Sequence, residues 1–127
     1  MRKRKAMSNY FFDNERPIYV QLVEMIRIDI VSGRYKQGEK IPSVRELALK
    51  MKVNPNTMQK ALSELESEGL IYTERTNGKF VTEDSAQIER IKEKLASDKV
   101  ASYLDSMQSI GLSYEDALEY LKKAEKK

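Results

Sequence analysis

The chain has 127 residues, 40% of them hydrophobic, and a formal net charge of +3, so it is about one domain long with material for a small core. It contains neither cysteine nor histidine, which excludes a disulfide framework, a thiolate metal site and imidazole acid–base chemistry. The charge is unevenly spread: residues 1–60 carry 13 basic and 6 acidic side chains, residues 61–85 carry 2 and 6, and residues 86–127 carry 8 of each.

The opening stretch, Met1-Arg-Lys-Arg-Lys5, is basic, but Ala-Met-Ser-Asn follows it rather than an apolar run, so it does not read as a secretory signal. Residues 1–9 read either as an arm that adds phosphate contacts or as a solvated tail. No stretch of the chain is apolar enough to span a bilayer, and a cytoplasmic location is expected. Ile18, Leu22, Ile26 and Ile30 then recur every four residues, with Val23 and Met25 broadening the stripe. This predicts an amphipathic helix with Pro17 at its first position and Gly33 as its stop.

Two short helices follow, separated only by Lys52 and Val53. In the first, Val44, Leu47, Ala48 and Met51 share one face, Ser43 is placed to cap it, and Glu46 completes a capping box. In the second, Met58, Ala61, Leu62 and Leu65 share a face, Asn54 is the N-cap, Pro55 takes the first position and Gly69 ends the helix. So short a joint forces the sharp crossing of a helix-turn-helix, although the usual turn glycine is missing. The outward face of the second helix carries Asn56, Gln59, Lys60 and Ser63. Asn and Gln amides suit adenine edges, and Lys suits guanine or phosphate. The same residue types also serve any solvated helix face.

Residues 70–82 contain two β-rich runs around Asn77-Gly78, a hairpin signal, with Arg75 and Lys79 bracketing the expected tip. A hairpin directly after a helix-turn-helix is a wing, and its glycine allows close approach to phosphate or a minor groove. From Ser85 onward Ile88, Ile91, Leu95, Val100, Tyr103, Leu104 and Met107 form a broad stripe, broken at Ile110-Gly111-Leu112. Ser113 and Asp116 make a second capping box, and Tyr114, Ala117, Leu118 and Leu121 share the next face. Two helices cannot enclose a core of their own. Their stripes, chiefly Ile88, Ile91, Leu95, Tyr103, Met107, Leu118 and Leu121, are expected at a homodimer interface or folded back on the rest of the chain.

The expected fold class is therefore mainly α with a small β-hairpin: a winged helix-turn-helix over residues 1–84 and a helical dimerisation tail over 85–127. The chain also reads Pro17-Ile-Tyr-Val-Gln-Leu with Ile30-Val-Ser-Gly33, then Gly38-Glu-Lys-Ile-Pro42-Ser43-Val-Arg45-Glu-Leu-Ala48, and then Val53-Asn54-Pro55-Asn56-Thr57. With these phrases, residues 17 to about 83 resemble the DNA-binding domain of GntR-type bacterial transcription regulators. The resemblance implies a short strand at Gly38–Ser43. It also implies DNA contacts at Ser43, Arg45, Asn54, Asn56, Thr57 and Gly78. At the position of Gln59 many members carry Arg, so the base read there is expected to differ. The short tail is similar to the YtrA-like branch, whose tail serves dimerisation. That resemblance implies transporter genes as targets and leaves a small-molecule effector in doubt.

The site expected to meet double-stranded DNA is Ser43, Arg45, Asn54, Asn56, Thr57, Gln59, Lys60, Arg75, Asn77, Gly78 and Lys79. The reading is a dimeric regulator on a pseudo-palindromic operator, acting as a repressor because a dimer covering a promoter blocks polymerase. The alternative is a winged helix used only to bind other proteins; polar residues at 56, 59, 60 and 63 and the basic N-terminal half speak for DNA. No metal or cofactor is called for, and no residues have the spacing of an enzyme's nucleophile or phosphate loop.

Overall fold

A computed structural model of the chain describes residues 12–125, so the basic arm at residues 1–9 lies outside the described residues. The elements are α1 (Ile18–Val31), α2 (Val44–Met51), α3 (Pro55–Ser67), β1 (Ile71–Glu74), β2 (Gly78–Val81), α4 (Ser85–Ser109) and α5 (Tyr114–Glu125). They divide into two compact units, the first ending at Arg90 and the second beginning at Ile91.

In the first unit α1 and α2 both pack on α3. Leu22, Val23, Ile26 and Ile30 supply the buried face of α1, and Leu47 and Ala48 that of α2. Met58, Ala61, Leu62 and Leu65 of α3 are wholly enclosed, so α3 is the central helix of this core. Two details of α1 differ from expectation. Pro17 is the N-cap rather than the first helical residue, and Ile18 is 39% exposed, because the helix starts one residue later and its first turn sits at the rim. Gln21 has a role that periodicity does not reveal. It accepts from the Asp13 N–H (2.9 Å) and donates to the Arg16 carbonyl (2.9 Å), tying the entering chain to α1. Buried Asp29 pairs with Arg34 at 3.2 Å and steadies the turn after the helix.

The joint between α2 and α3 works without glycine because Lys52 itself takes the left-handed conformation (φ 59°, ψ 46°). At the far end of α3 the Leu70 N–H reaches the Leu65 carbonyl (3.1 Å) and the Gly69 N–H that of Glu66 (3.0 Å). This paired closure needs a positive φ at its pivot, and Gly69 supplies it at +78°.

The wing pairs Ile71 with Val81, Tyr72 with Phe80, Thr73 with Lys79 and Glu74 with Gly78. Its tip differs from a two-residue Asn-Gly turn. The turn runs from Glu74 to Asn77, closed by Asn77 N–H to Glu74 carbonyl (3.2 Å), and Gly78 opens β2 at φ +104°. Arg75 and Thr76 thus form the tip. The segment before α2 joins the wing through one bridge, Lys40 to Phe80, flanked by Ile41 N–H to Lys79 carbonyl (2.9 Å) and Val81 N–H to Glu39 carbonyl (2.9 Å). The short strand implied for Gly38–Ser43 is reduced to this bridge. Proline at position 42 has no N–H to extend the ladder.

Helix α4 begins within the first unit. Gln87 donates to the Glu68 carbonyl (2.7 Å) and Ile88 is buried there, which is why the unit extends to Arg90 rather than ending at Asp84. In the second unit α4 is closed by Leu112 N–H to Met107 carbonyl (3.0 Å). Ser113 and Asp116 form the second capping box, at 3.1 and 3.0 Å, which starts α5. The Tyr103 hydroxyl donates to the Ala117 carbonyl (2.8 Å) and holds α4 and α5 together around buried Ala117.

Candidate nucleic-acid interface

The capping box fixes how α2 presents its start. The Glu46 N–H donates to the Ser43 hydroxyl (3.1 Å), and the Ser43 N–H donates to the Glu46 carboxylate (3.0 Å). The Ser43 backbone N–H, aided by its hydroxyl, holds the Glu46 carboxyl below the usual carboxylate range. Ser43 is thus first a structural residue, while Arg45, beside it, is exposed and outside every ion pair among the described residues. An unpaired surface guanidinium at the head of a helix is a ready donor to phosphate or to guanine.

The start of α3 is built in a similar way. The Asn54 side chain accepts from the Asn56 N–H (2.7 Å), leaving the Asn56 side chain exposed on the first turn and Thr57 half-buried beside it. Gln59 is exposed, and its amide donates to the Ser63 hydroxyl (3.1 Å), which steadies it across one helical turn. Lys60 does not share that outlook. Its ammonium lies 3.9 Å from the centre of the Tyr19 ring, a cation–π contact that directs it toward the start of α1. Periodicity alone gave no sign of Tyr19 as the partner.

At the other end of α3 and its C-cap, two acidic side chains hold partners. Glu68 pairs with Arg27 of α1 through two hydrogen bonds, one of them Nε to Oε1 at 3.0 Å. Glu66 accepts from Thr73 (3.1 Å) and lies 3.6 Å from the Lys79 ammonium. Lys79 also donates to the Thr73 hydroxyl (2.9 Å), and its side chain is only 15% exposed. Lys79 therefore turns back toward α3 instead of bracketing the tip. Arg75 remains exposed at the tip, and the Asn77 amide is held by Glu74 (3.0 Å). Tyr72 and Phe80 stack with ring centres 5.6 Å apart and stiffen the hairpin.

Between the wing and the start of α2 lies an open cleft of about 720 Å³. Its walls include Lys40 and Lys50, two cations that no sequence motif singles out. Their spacing shows no pattern until the bridge to Phe80 brings the segment before α2 against the wing.

The second unit presents a different surface. An apolar groove of about 280 Å³ runs between α4 and α5, lined by Val100, Tyr103, Leu104, Tyr114, Leu118 and Leu121 among others. Leu118 and Leu121 remain 38% and 51% exposed, while Ile91, Leu95 and Met107 are half-buried. Ile88 does not belong with them, because it is already enclosed in the first unit and has little surface left to offer.

An exposed polar helix start, an arginine at the head of the preceding helix and a flanking hairpin define a winged helix-turn-helix. The family model described as "Bacterial regulatory proteins, gntR family" matches residues 18–81. The chain belongs to the GntR family of DNA-binding transcription regulators, and its relatives are regulators rather than enzymes. It is 37% identical over 111 residues to the uncharacterized transcriptional regulator YhcF of Bacillus subtilis, covering 87% of this chain and 92% of that one. To the repressor YtrA of the same organism it is 45% identical over 69 residues, 54% of this chain and 53% of that protein. Among solved structures, a GntR family regulator from Listeria monocytogenes superimposes with a TM-score of 0.83 at 42% identity, covering 88% and 98% of the two chains. The AraR DNA-binding domain in complex with operator ORX1 gives a TM-score of 0.53 at 32% identity, over 57% of this chain and 93% of that one. No helix among the described residues is long and apolar enough to cross a membrane.

Proposed function

We propose that the chain is a cytoplasmic, homodimeric repressor that binds a pseudo-palindromic operator. The observation that carries this is the exposure of Arg45 at the head of α2 and of Asn56 and Gln59 in the first turns of α3, with a wing tip of Arg75 and Thr76 that shares a cleft with the start of α2. In this reading the start of α3 enters the major groove, with Asn56, Thr57 and Gln59 toward the bases. Arg45 works from α2, and Arg75, Asn77 and Gly78 lie along the sugar–phosphate edge or minor groove. Ser43 and Asn54 act mainly by holding the two helix starts in place. The solved complex of the related AraR domain with its operator supports DNA as the partner, and the likeness to the repressor YtrA supports repression. Genes for a membrane transporter as targets rest on the resemblance to the YtrA-like branch alone.

The tail supplies the dimer. Ile91, Leu95, Tyr103, Met107, Leu118 and Leu121 leave apolar surface that a second copy would cover, and residues 86–127 add no net charge to oppose it. Selection of duplexes from a random pool by the full-length chain tests the reading. The expected product is a two-fold symmetric site with half-sites about 10 bp apart, centre to centre, or a multiple of that. An asymmetric consensus, or none, would count against it.

A further inference from the structure

The wing keeps Arg75 at its tip but not Lys79, which is turned toward Glu66 and Thr73. Another cation stands on that side. Lys40 comes from the segment before α2, and its bridge to Phe80 lays its side chain across Gly78. A Cβ at position 78 would lie 3.2 Å from Lys40 Cε and 3.9 Å from Nζ, so the glycine is the floor over which this ammonium extends. Lys40 lines the cleft between the wing and α2, and Lys50 and Arg75 line it too. None of these three cations has an ion-pair partner among the described residues.

The acids of the cleft are otherwise engaged. Glu39 accepts from the Lys36 N–H (2.7 Å), Glu46 from the Ser43 N–H (3.0 Å) and Glu74 from the Asn77 amide (3.0 Å). The cleft thus brings together three cations outside any ion pair among the described residues and three acids that each already accept through one oxygen, with Glu46 within electrostatic reach of Lys40 and Lys50. That pattern suits a phosphodiester, which offers only acceptors and one negative charge.

We infer that the cleft between the wing and α2 seats a backbone phosphate of the bound DNA, with Lys40 as its principal ligand in place of Lys79. The inference rests on the DNA-binding reading above and adds to it a contact outside the helix-turn-helix residues. A phosphate held there fixes the wing's height on the duplex and carries no base information. Lys40 therefore contributes equally to any sequence, whereas Arg45 and Gln59 discriminate.

The test compares the full-length chain with Lys40→Gln, Lys40→Arg and Lys79→Gln on two probes, the selected duplex and a duplex of arbitrary sequence, each titrated over a range of salt. Each neutralised phosphate adds about 0.9 to the slope of log affinity against log salt. Lys40→Gln should lower the slope by about one per protomer on both probes. Lys40→Arg should restore it, and Lys79→Gln should leave it unchanged. Thermal unfolding of each variant separates a lost contact from a lost fold, and Lys40→Met, an uncharged side chain of similar length expected to lower the slope by the same amount, carries the test if glutamine is not tolerated. A Lys40→Gln chain with the parent's slope, or a Lys79→Gln chain that loses one, would overturn the assignment. A parent chain whose binding ignores salt would overturn the DNA-binding reading and this one with it.

Discussion

Lys52 holds a left-handed backbone with a Cβ in place, a conformation that costs an L-residue about 1–2 kcal/mol. Glycine would remove that strain but return about 0.4–1 kcal/mol through the looser unfolded chain. Lys52→Gly should therefore stabilise the winged unit by roughly 0.5–1 kcal/mol, seen as a melting temperature raised by a few degrees. A lowered melting temperature would show that the lysine side chain contributes contacts beyond the turn. On the proposed DNA-binding reading, two other residues govern recognition. Arg45→Ala should weaken binding to the selected site strongly. Gln59→Arg should move the preference toward guanine at one position per half-site, with about 1–3 kcal/mol of discrimination. A panel of single-base operator changes reads both effects. If Gln59→Arg left every preference unaltered, Gln59 would not face the bases.

At the scale of elements, the start of α2 links stability to pH. Because the folded state holds the Glu46 carboxyl below its ordinary range, the stability from its charge is present above the unfolded carboxylate range. It disappears as pH falls through the folded value. Glu46→Gln should thus be less stable than the parent chain at neutral pH, and the two should converge on acidification. Denaturant unfolding at several pH values measures the gap, and a gap that ignores pH would contradict this.

The elements also show what the sequence made legible. Apolar spacing located α1, α2, α3 and α5, and the capping residues Ser43, Asn54, Gly69 and Ser113 placed ends of the last three, because caps are local chemistry. The wing was visible as a hairpin, but its turn was not. Asn77-Gly78 signalled a two-residue loop, whereas the Glu74–Asn77 turn moved the tip to Arg75 and Thr76. Side-chain directions were hidden where they depend on distant partners. Lys60 goes to Tyr19 and Lys79 to Glu66, and Lys40 reaches the wing only through the bridge to Phe80. Ile88 belonged to the periodic stripe of α4, and only packing could place it in the winged unit.

For the whole molecule, the winged unit is proposed to recognise DNA and the second unit to pair two copies of the chain. Leu118→Asp with Leu121→Asp puts charge on the exposed lip of the α4–α5 groove, where partial exposure in one copy leaves the fold intact. Sedimentation should find the double variant monomeric. Its affinity for the full palindrome should fall toward that of a single half-site, since linked half-sites lose their effective-concentration gain. A variant that stays dimeric would move the interface elsewhere. The central claim, sequence-specific binding of DNA by the full-length chain, is tested most directly by one comparison at physiological salt: affinity for the selected palindrome against affinity for a scrambled duplex of equal length. Binding to the palindrome about 10³–10⁷-fold tighter is the predicted result; equal affinity for the two duplexes would contradict the claim.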